Sequence, residues 1–245
     1  LSRTTTGSHM RDKNSDLGMS LNTMAAPPEV RVMDGKPTLF LRGITFPERY
    51  GVLTVFELDL KTNRPELVEL GAVDTGGIVI GPDGKALARS DYDDKTGKWT
   101  LKLRQGSSGW TTSRTVEAVN ERPYLIGLGR DGQSVLVGEP DEKGLRLREV
   151  TSTGWGDPLE VADADSMVFD PATRRLIGLF ALVGDEGRYT FFDPVDDKAW
   201  KSVQAAFKGD RVRLEAWSED RKTIVVFVDS KTEGPAYAIV DLTAK

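Results

Sequence analysis

The chain has 245 residues, no cysteine, a single histidine and a formal net charge of −5. Without cysteine it has no disulfides, thiolate nucleophile or thiolate metal site. Its charges are well mixed, as in Arg146–Leu147–Arg148–Glu149, which leaves no basic stripe for a nucleic-acid backbone.

The first ten residues stand apart. Gly7–Ser8–His9–Met10 reads as a cleavage and cloning scar and Leu1 to Thr6 as vector sequence, so 1–10 is expected to be a tag that holds the only histidine, His9. The native sequence is expected to start near Arg11. It has neither a signal peptide nor a cap for a first element, and it reads as a piece of a longer protein. Residues 11–29 are expected to form a leading segment or partial repeat, and 30–245 the repeats themselves. No apolar run approaches the roughly 18–20 residues of a membrane-spanning helix, so a soluble chain is expected, with cytoplasm and periplasm both left open.

One unit recurs along the chain: an apolar run, a tight polar turn and a second apolar run. It appears at Val30–Lys36, Ile78–Lys85 and Leu125–Gln133, in degraded form at Met167–Arg174, and again at Leu214–Lys222. Asp-Gly between apolar runs is a strong hairpin signal, because glycine enters the positive-φ region without steric cost. The spacing is regular, 49 residues from Asp34 to Asp83 and 48 from Asp83 to Asp131. Trp110, Trp155 and Trp200 give the period a second time, 45 residues apart in each step.

Third runs such as Trp99–Thr100–Leu101–Lys102–Leu103 and Leu145–Arg146–Leu147–Arg148 alternate apolar and charged residues, the period of a strand with one buried face. Short fourth runs follow at Leu67–Leu70, Thr115–Ala118 and Leu159–Val161. Four short strands every ~45 residues is the period of a propeller blade. The expected fold is therefore all-β, about five blades of four antiparallel strands in an incomplete ring, with a β-sandwich as runner-up. Trp200, Val203 and Phe207 also fit helical spacing, but the repeat period assigns 198–208 to a strand.

Trp217–Ser218–Glu219–Asp220–Arg221–Lys222–Thr223–Ile224 resembles the Trp-Ser-Pro-Asp-Gly-Lys turn of TolB-like and prolyl oligopeptidase propellers. Gly81–Pro82–Asp83–Gly84–Lys85 is a closer copy that lacks the tryptophan. The stretch from Val55 to Leu103 is similar to the N-terminal propeller of bacterial serine peptidases of the prolyl oligopeptidase family, in the branch of dipeptidyl and acylaminoacyl peptidases. The resemblance implies a propeller that gates access of short peptides to an α/β-hydrolase domain of the same parent chain. Family propellers have seven or eight blades before that domain, whereas about five repeats are counted here.

The sequence carries no candidate catalytic, cofactor-binding or metal-ligating residue. A peptidase triad needs a Gly-x-Ser-x-Gly elbow, and the nearest string, Gly106–Ser107–Ser108–Gly109, has the wrong spacing. With His9 in the tag, no Ser-His-Asp arrangement is expected and the chain alone is not expected to be an enzyme. Gly127–Leu128–Gly129–Arg130–Asp131–Gly132 matches the dinucleotide fingerprint literally, but strand-like residues follow it where a helix is required. Asp91, Asp93, Asp94 and Gly97 hint at a calcium loop, yet Lys95 and Trp99 interrupt it and the pattern reads as an acidic turn, as does Asp193–Asp196–Asp197. The periodic tryptophans read as packing residues rather than a stacking platform.

Two alternatives from other classes stay open: a non-enzymatic TolB-like or WD-repeat-like binding module, and a complete five-bladed enzyme such as a glycosidase. An unclosed ring would also expose blade edges, so self-association is expected.

Overall fold

In the computed structural model the described residues are 23–106, 109–142, 144–161, 164–184 and 186–244. The chain is all-β, with five antiparallel sheets in succession, each a propeller blade. It divides into two compact units, Leu1–Glu160 and Val161–Lys245.

The first unit holds three blades. Blade 1 contains β1 (Thr23–Met24), β2 (Glu29–Met33), β3 (Lys36–Thr45), β4 (Val52–Asp59) and β5 (Arg64–Leu70). Both β1 and β2 pair with β3, across Gly43–Ile44 and Lys36–Phe40, so they follow one another along a single edge as a broken strand. Blade 2 is β6 (Thr75–Ile80), β7 (Ala86–Asp93), β8 (Lys98–Gln105) and β9 (Gly109–Glu117). Blade 3 is β10 (Tyr124–Leu128), β11 (Val135–Asp141), β12 (Gly144–Thr151) and β13 (Gly154–Leu159).

Period-two patterning gives each sheet an apolar face, and these faces pack blade on blade. Phe40 and Val55 of blade 1 meet Ile78, Ile80 and Ala86 of blade 2. Val79, Ala88, Trp99, Leu101 and Leu103 of blade 2 meet Leu128, Val135, Val137 and Val150 of blade 3. Burying each large side chain contributes roughly 1.5–3 kcal/mol relative to leaving it exposed.

The second unit departs from four strands per blade. Among the described residues blade 4 has β14 (Ser166–Phe169), β15 (Leu176–Val183) and β16 (Glu186–Phe191), and blade 5 has β17 (Arg211–Trp217), β18 (Thr223–Ser230) and β19 (Gly234–Asp241). Between them, where the repeat period predicts a strand over 198–208, the chain forms helix α1 (Pro194–Ala206). The reason is local. Asp193 caps the helix by accepting from the Val195 N–H at 2.8 Å, Pro194 suits the first turn, and Asp196 and Asp197 favour the positive end of the helix dipole. Ala199, Trp200 and Val203 then fall on one face and are buried with Phe191, Trp217 and Ile224.

The predicted turns close the first hairpin of each blade in two ways. Asp34 and Gly35 both have positive φ, 49° and 70°, and Met33 pairs directly with Lys36, a two-residue turn matched to strand twist. In the other four blades the loop is longer, and a single left-handed residue turns the chain back: Gly84, Gly132, Arg174 and Arg221.

Candidate functional site

Within the first unit an open cavity of about 310 Å³ lies where β6 and β10 begin and β7 ends. The connection before β6 supplies Asp74, the connection after β7 supplies Asp94, and the approach to β10 supplies Arg122 and Tyr124. Trp99 and Tyr92 form aromatic wall, Trp99 being buried in the blade core.

The position of each charged group follows from its neighbours. The Tyr92 N–H donates to the Asp74 carbonyl at 2.7 Å and so holds the Asp74 segment against β7. The Tyr92 hydroxyl donates to the Ala118 carbonyl at 3.2 Å. The Tyr92 ring carries the Arg122 guanidinium 4.3 Å from its centroid. Asp91, only 4% exposed, lines the cavity but is spoken for. Thr75 Oγ1 donates to it at 2.6 Å, and Lys102 Nζ stands 2.7 Å from its other oxygen. Asp93 closes its own turn, accepting from the Thr96 hydroxyl and the Lys95 and Thr96 N–H groups. The Thr96 hydroxyl and then the Lys95 N–H hold its carboxyl below the ordinary carboxylate range. Asp74, Asp94 and Arg122 form no ion pair among the described residues, although all three line one cavity.

The acidic strings therefore divide their work. Asp91 and Asp94 line the same cavity while Asp93 closes its own turn, and no three acidic or histidine side chains converge among the described residues. Asp193, Asp196 and Asp197, expected as an acidic turn, instead start a helix. Asp193 is its cap, Asp197 pairs with Lys201 at 2.7 Å, and buried Asp196 receives Arg221 Nε at 2.7 Å.

Trp200 is buried in the second unit, while Trp110 and Trp155 are half-buried and packed against the clusters between blades. The ring of Trp110 lies under Arg104 at 4.0 Å and Arg89 at 5.2 Å, and Glu69 binds Arg104. Trp155 Nε1 donates to Ser113 Oγ at 3.1 Å beneath Arg114. Gly127–Gly132 ends β10 and turns into β11, and the Arg130 N–H donates to Glu149 Oε1 at 2.6 Å. Of the remaining strings, His9 and the Ser107–Ser108 pair lie outside the described residues.

Sequence reasoning missed Asp74, Tyr92, Arg122 and Tyr124. A signal existed: Asp74 and Arg122 are 48 residues apart, the repeat spacing, each just ahead of the first strand of its blade. Aligning equivalent loop positions of successive repeats would have drawn out the pair.

No known family's sequence profile matches the chain. No curated protein matches it either. Among solved structures it is similar to TolB from Acinetobacter baumannii, with 12% identity over 88% of this chain and a TM-score of 0.34. The chain spans 41% of the length of that protein. It is also similar to the periplasmic gluconolactonase of Pseudomonas aeruginosa, with 12% identity, 93% of this chain, 74% of that one and a TM-score of 0.36. Likeness at this level transfers neither residues nor activity.

Proposed function

We propose that these blades belong to the propeller of a serine peptidase of the prolyl oligopeptidase family, where they screen short peptides on the way to a separate α/β-hydrolase domain. The observation that carries this reading is the turn string Trp217–Ile224. It lies in the first hairpin of a blade, with Trp217 in the core and Arg221 at the reversal of the chain, which supports a propeller turn of the kind that TolB-like and prolyl oligopeptidase propellers share. Gly81–Lys85 takes the equivalent place in blade 2. The reading assigns the chemistry to the hydrolase domain, because the family's Ser-His-Asp triad needs a histidine and the one histidine of this chain is at position 9.

Two measurements test the reading together. Reading the gene beyond Lys245 should reveal an in-frame domain with a Gly-x-Ser-x-Gly elbow, whereas an immediate stop codon would favour the non-enzymatic TolB-like binding module. Incubating the chain with chromogenic short peptides and a serine-directed covalent probe should give neither turnover nor labelling. Turnover with labelling would place a nucleophile in these blades and overturn the division of labour.

A further inference from the structure

We infer that a second cavity of the first unit, between the outer strands of blade 2 and the β12–β13 turn of blade 3, binds a neutral sugar as a single pyranose ring. The inference stands apart from the peptidase reading and uses no residue of the cavity at Asp74 and Arg122.

This cavity, about 270 Å³ in volume, has the end of β8 and the start of β9 on one side and Thr151–Trp155 on the other. Register decides which side chains of blade 2 face it. Thr111 pairs with Leu103, which packs in the core shared with blade 3, so Leu103, Gln105 and Thr111 stand on that side. Trp110 and its partner Arg104 stand on the other side. Ser113 is the extra residue of a bulge in β9, and Trp155 Nε1 reaches it at 3.1 Å. From blade 3, Thr151 pairs with Gly154 and leaves Ser152 and Thr153 as the turn.

Three observations point to a polyol. First, the wall is built of hydroxyls and one amide. Each hydroxyl carries one donor and two acceptor sites, so the internal bonds leave capacity over. The Thr111 hydroxyl donates to Gln105 Oε1 at 2.6 Å, Thr151 and Thr153 share one bond of 2.7 Å, and Ser152 has no partner among the described residues. Closely spaced sites of both kinds match the neighbouring hydroxyls of a sugar.

Second, the cavity offers a ligand no usable charge. Arg104 is the one charged residue among the described lining, and it is committed elsewhere: its Nε donates to the Ala86 carbonyl at 3.0 Å, Glu69 binds it, and the Trp110 ring lies 4.0 Å away. A charged ligand would shed its water for no counter-ion, and an apolar one would leave the wall's hydroxyls unpaired. Third, Leu103 and the half-buried indole of Trp155, fixed by its bond to Ser113, add apolar surface suited to the C–H groups of a sugar ring. The volume falls just below the roughly 300–1,000 Å³ of drug-sized sites, which suits one ring rather than a chain of them.

The test is titration calorimetry of the chain with D-glucose, D-galactose and D-mannose, the uronate of each, and cyclohexanol as a ring without the polyol. At least one neutral sugar is expected to bind with a millimolar Kd, at least about tenfold more tightly than its own uronate or cyclohexanol. Ser152→Ala and Thr111→Val should each weaken it roughly three- to tenfold, the loss of one hydrogen bond. Both residues are exposed, so the variants should keep the fold, checked by unchanged thermal unfolding. Arg122→Gln, at the other cavity, should leave sugar binding as it is.

No binding of any of the three sugars at millimolar concentration, equal binding of sugar and uronate, or indifference to both Ser152→Ala and Thr111→Val would each overturn the assignment. Loss of binding in Arg122→Gln would move the sugar to the other cavity and overturn it as well.

Discussion

The first hairpins of blades 2 and 3 and those of blades 4 and 5 solve one geometric problem with opposite residues. Gly84 and Gly132 turn the chain at φ 78° and 70°, whereas Arg174 and Arg221 do so at 61° and 59°. A side chain in the left-handed region costs roughly 1–2 kcal/mol, so the glycine turns are free of a strain the arginine turns carry. At Arg221 the side chain offsets it. Its guanidinium donates to Asp170 Oδ2 at 2.8 Å and to Asp196 Oδ1 at 2.7 Å, and it lies 4.3 Å from the Trp217 ring centroid. Asp170 belongs to the blade 4 turn and Asp196 to α1, so one strained residue ties together three elements of a unit whose blades have only three strands. Blades 2 and 3, with a full fourth strand each, are joined away from their turns instead, where Arg114 of β9 pairs with Glu139 of β11 at 2.7 Å.

Removing the tie should give the largest effect. Arg221→Ala leaves two buried carboxylates, Asp170 at 2% and Asp196 at 3% residue exposure, without their cation, and should destabilise the second unit by about 3 kcal/mol or more in urea unfolding. Arg221→Gly should be less damaging by about 1 kcal/mol, since it relieves the backbone while losing the same ion pairs. Equal losses from the two variants would show that the left-handed turn stores no strain. The reciprocal change, Gly84→Ala, imposes strain where none is offset and should cost roughly 1–2 kcal/mol, with Met33 Cε, 2.9 Å from the added carbon, forced to move. Arg174→Gly should be nearly neutral. Its side chain makes a 5.9 Å contact to the Phe169 ring, and relief of strain is countered by the roughly 0.5–1 kcal/mol entropy of a new glycine.

Acid should separate the two turn designs further. Burial raises the Asp170 carboxyl, but the Thr173 N–H, the Arg221 charge and the Thr173 and Ala172 contacts outweigh it and hold the group below the ordinary carboxylate range. A depressed folded value means the stabilisation is complete above the unfolded value and is lost as pH falls through the folded one. Stability of the second unit should therefore drop as pH goes below about 4, and Asp170→Asn, already weakened at neutral pH, should show a flatter acid limb. Asp131 in blade 3 is lowered as well, burial raising it and the Ser134 N–H and hydroxyl with the Gln133 N–H prevailing. Its contacts stay within one turn, so Asp131→Asn should flatten the acid limb less. Equal acid limbs for the two variants would erase the distinction between a turn that serves itself and one that binds its neighbours.

What the sequence disclosed follows the same division. Period-two strands, Asp-Gly turns and the ~45-residue repeat were legible because each depends on residues adjacent in the chain. The helix over 194–206 departs from the repeat period because local signals override it: the Asp193 cap, Pro194 in the first turn and the helical spacing of Ala199, Trp200 and Val203. The three-stranded blades were hidden, since Trp200 kept the 45-residue beat while changing from strand to helix. The cavity was illegible for another reason. Asp74, Asp94 and Arg122 come from three separate connections, and only the side-by-side packing of blades 2 and 3 brings them together. Arg221 likewise reaches Asp170, 51 residues away, only through the packing of the folded unit.

The smallest expected effect concerns how the outer strands end. Outer strands β9 and β13 of the first unit carry no exposed large hydrophobic residue, whereas β19 exposes Tyr237 at 70% and Ile239 at 74%. The Leu242 N–H donates to the Lys222 carbonyl at 2.8 Å, and the register runs without a bulge to Gly234. The even-numbered residues of β19 therefore bond to β18, and the backbone groups of Tyr237, Ile239 and Asp241 face outward along an edge no described strand covers. Pro235 removes one outward donor, but the strand has no lysine or arginine to repel a second chain. Edge-to-edge pairing of two copies through β19 should raise the sedimentation coefficient with concentration across the micromolar range. Ile239→Lys should abolish that rise without changing the unfolding midpoint, because the side chain touches mainly solvent. A single monomer species for the unmodified chain at every concentration would mean that Pro235 alone is enough to protect this edge.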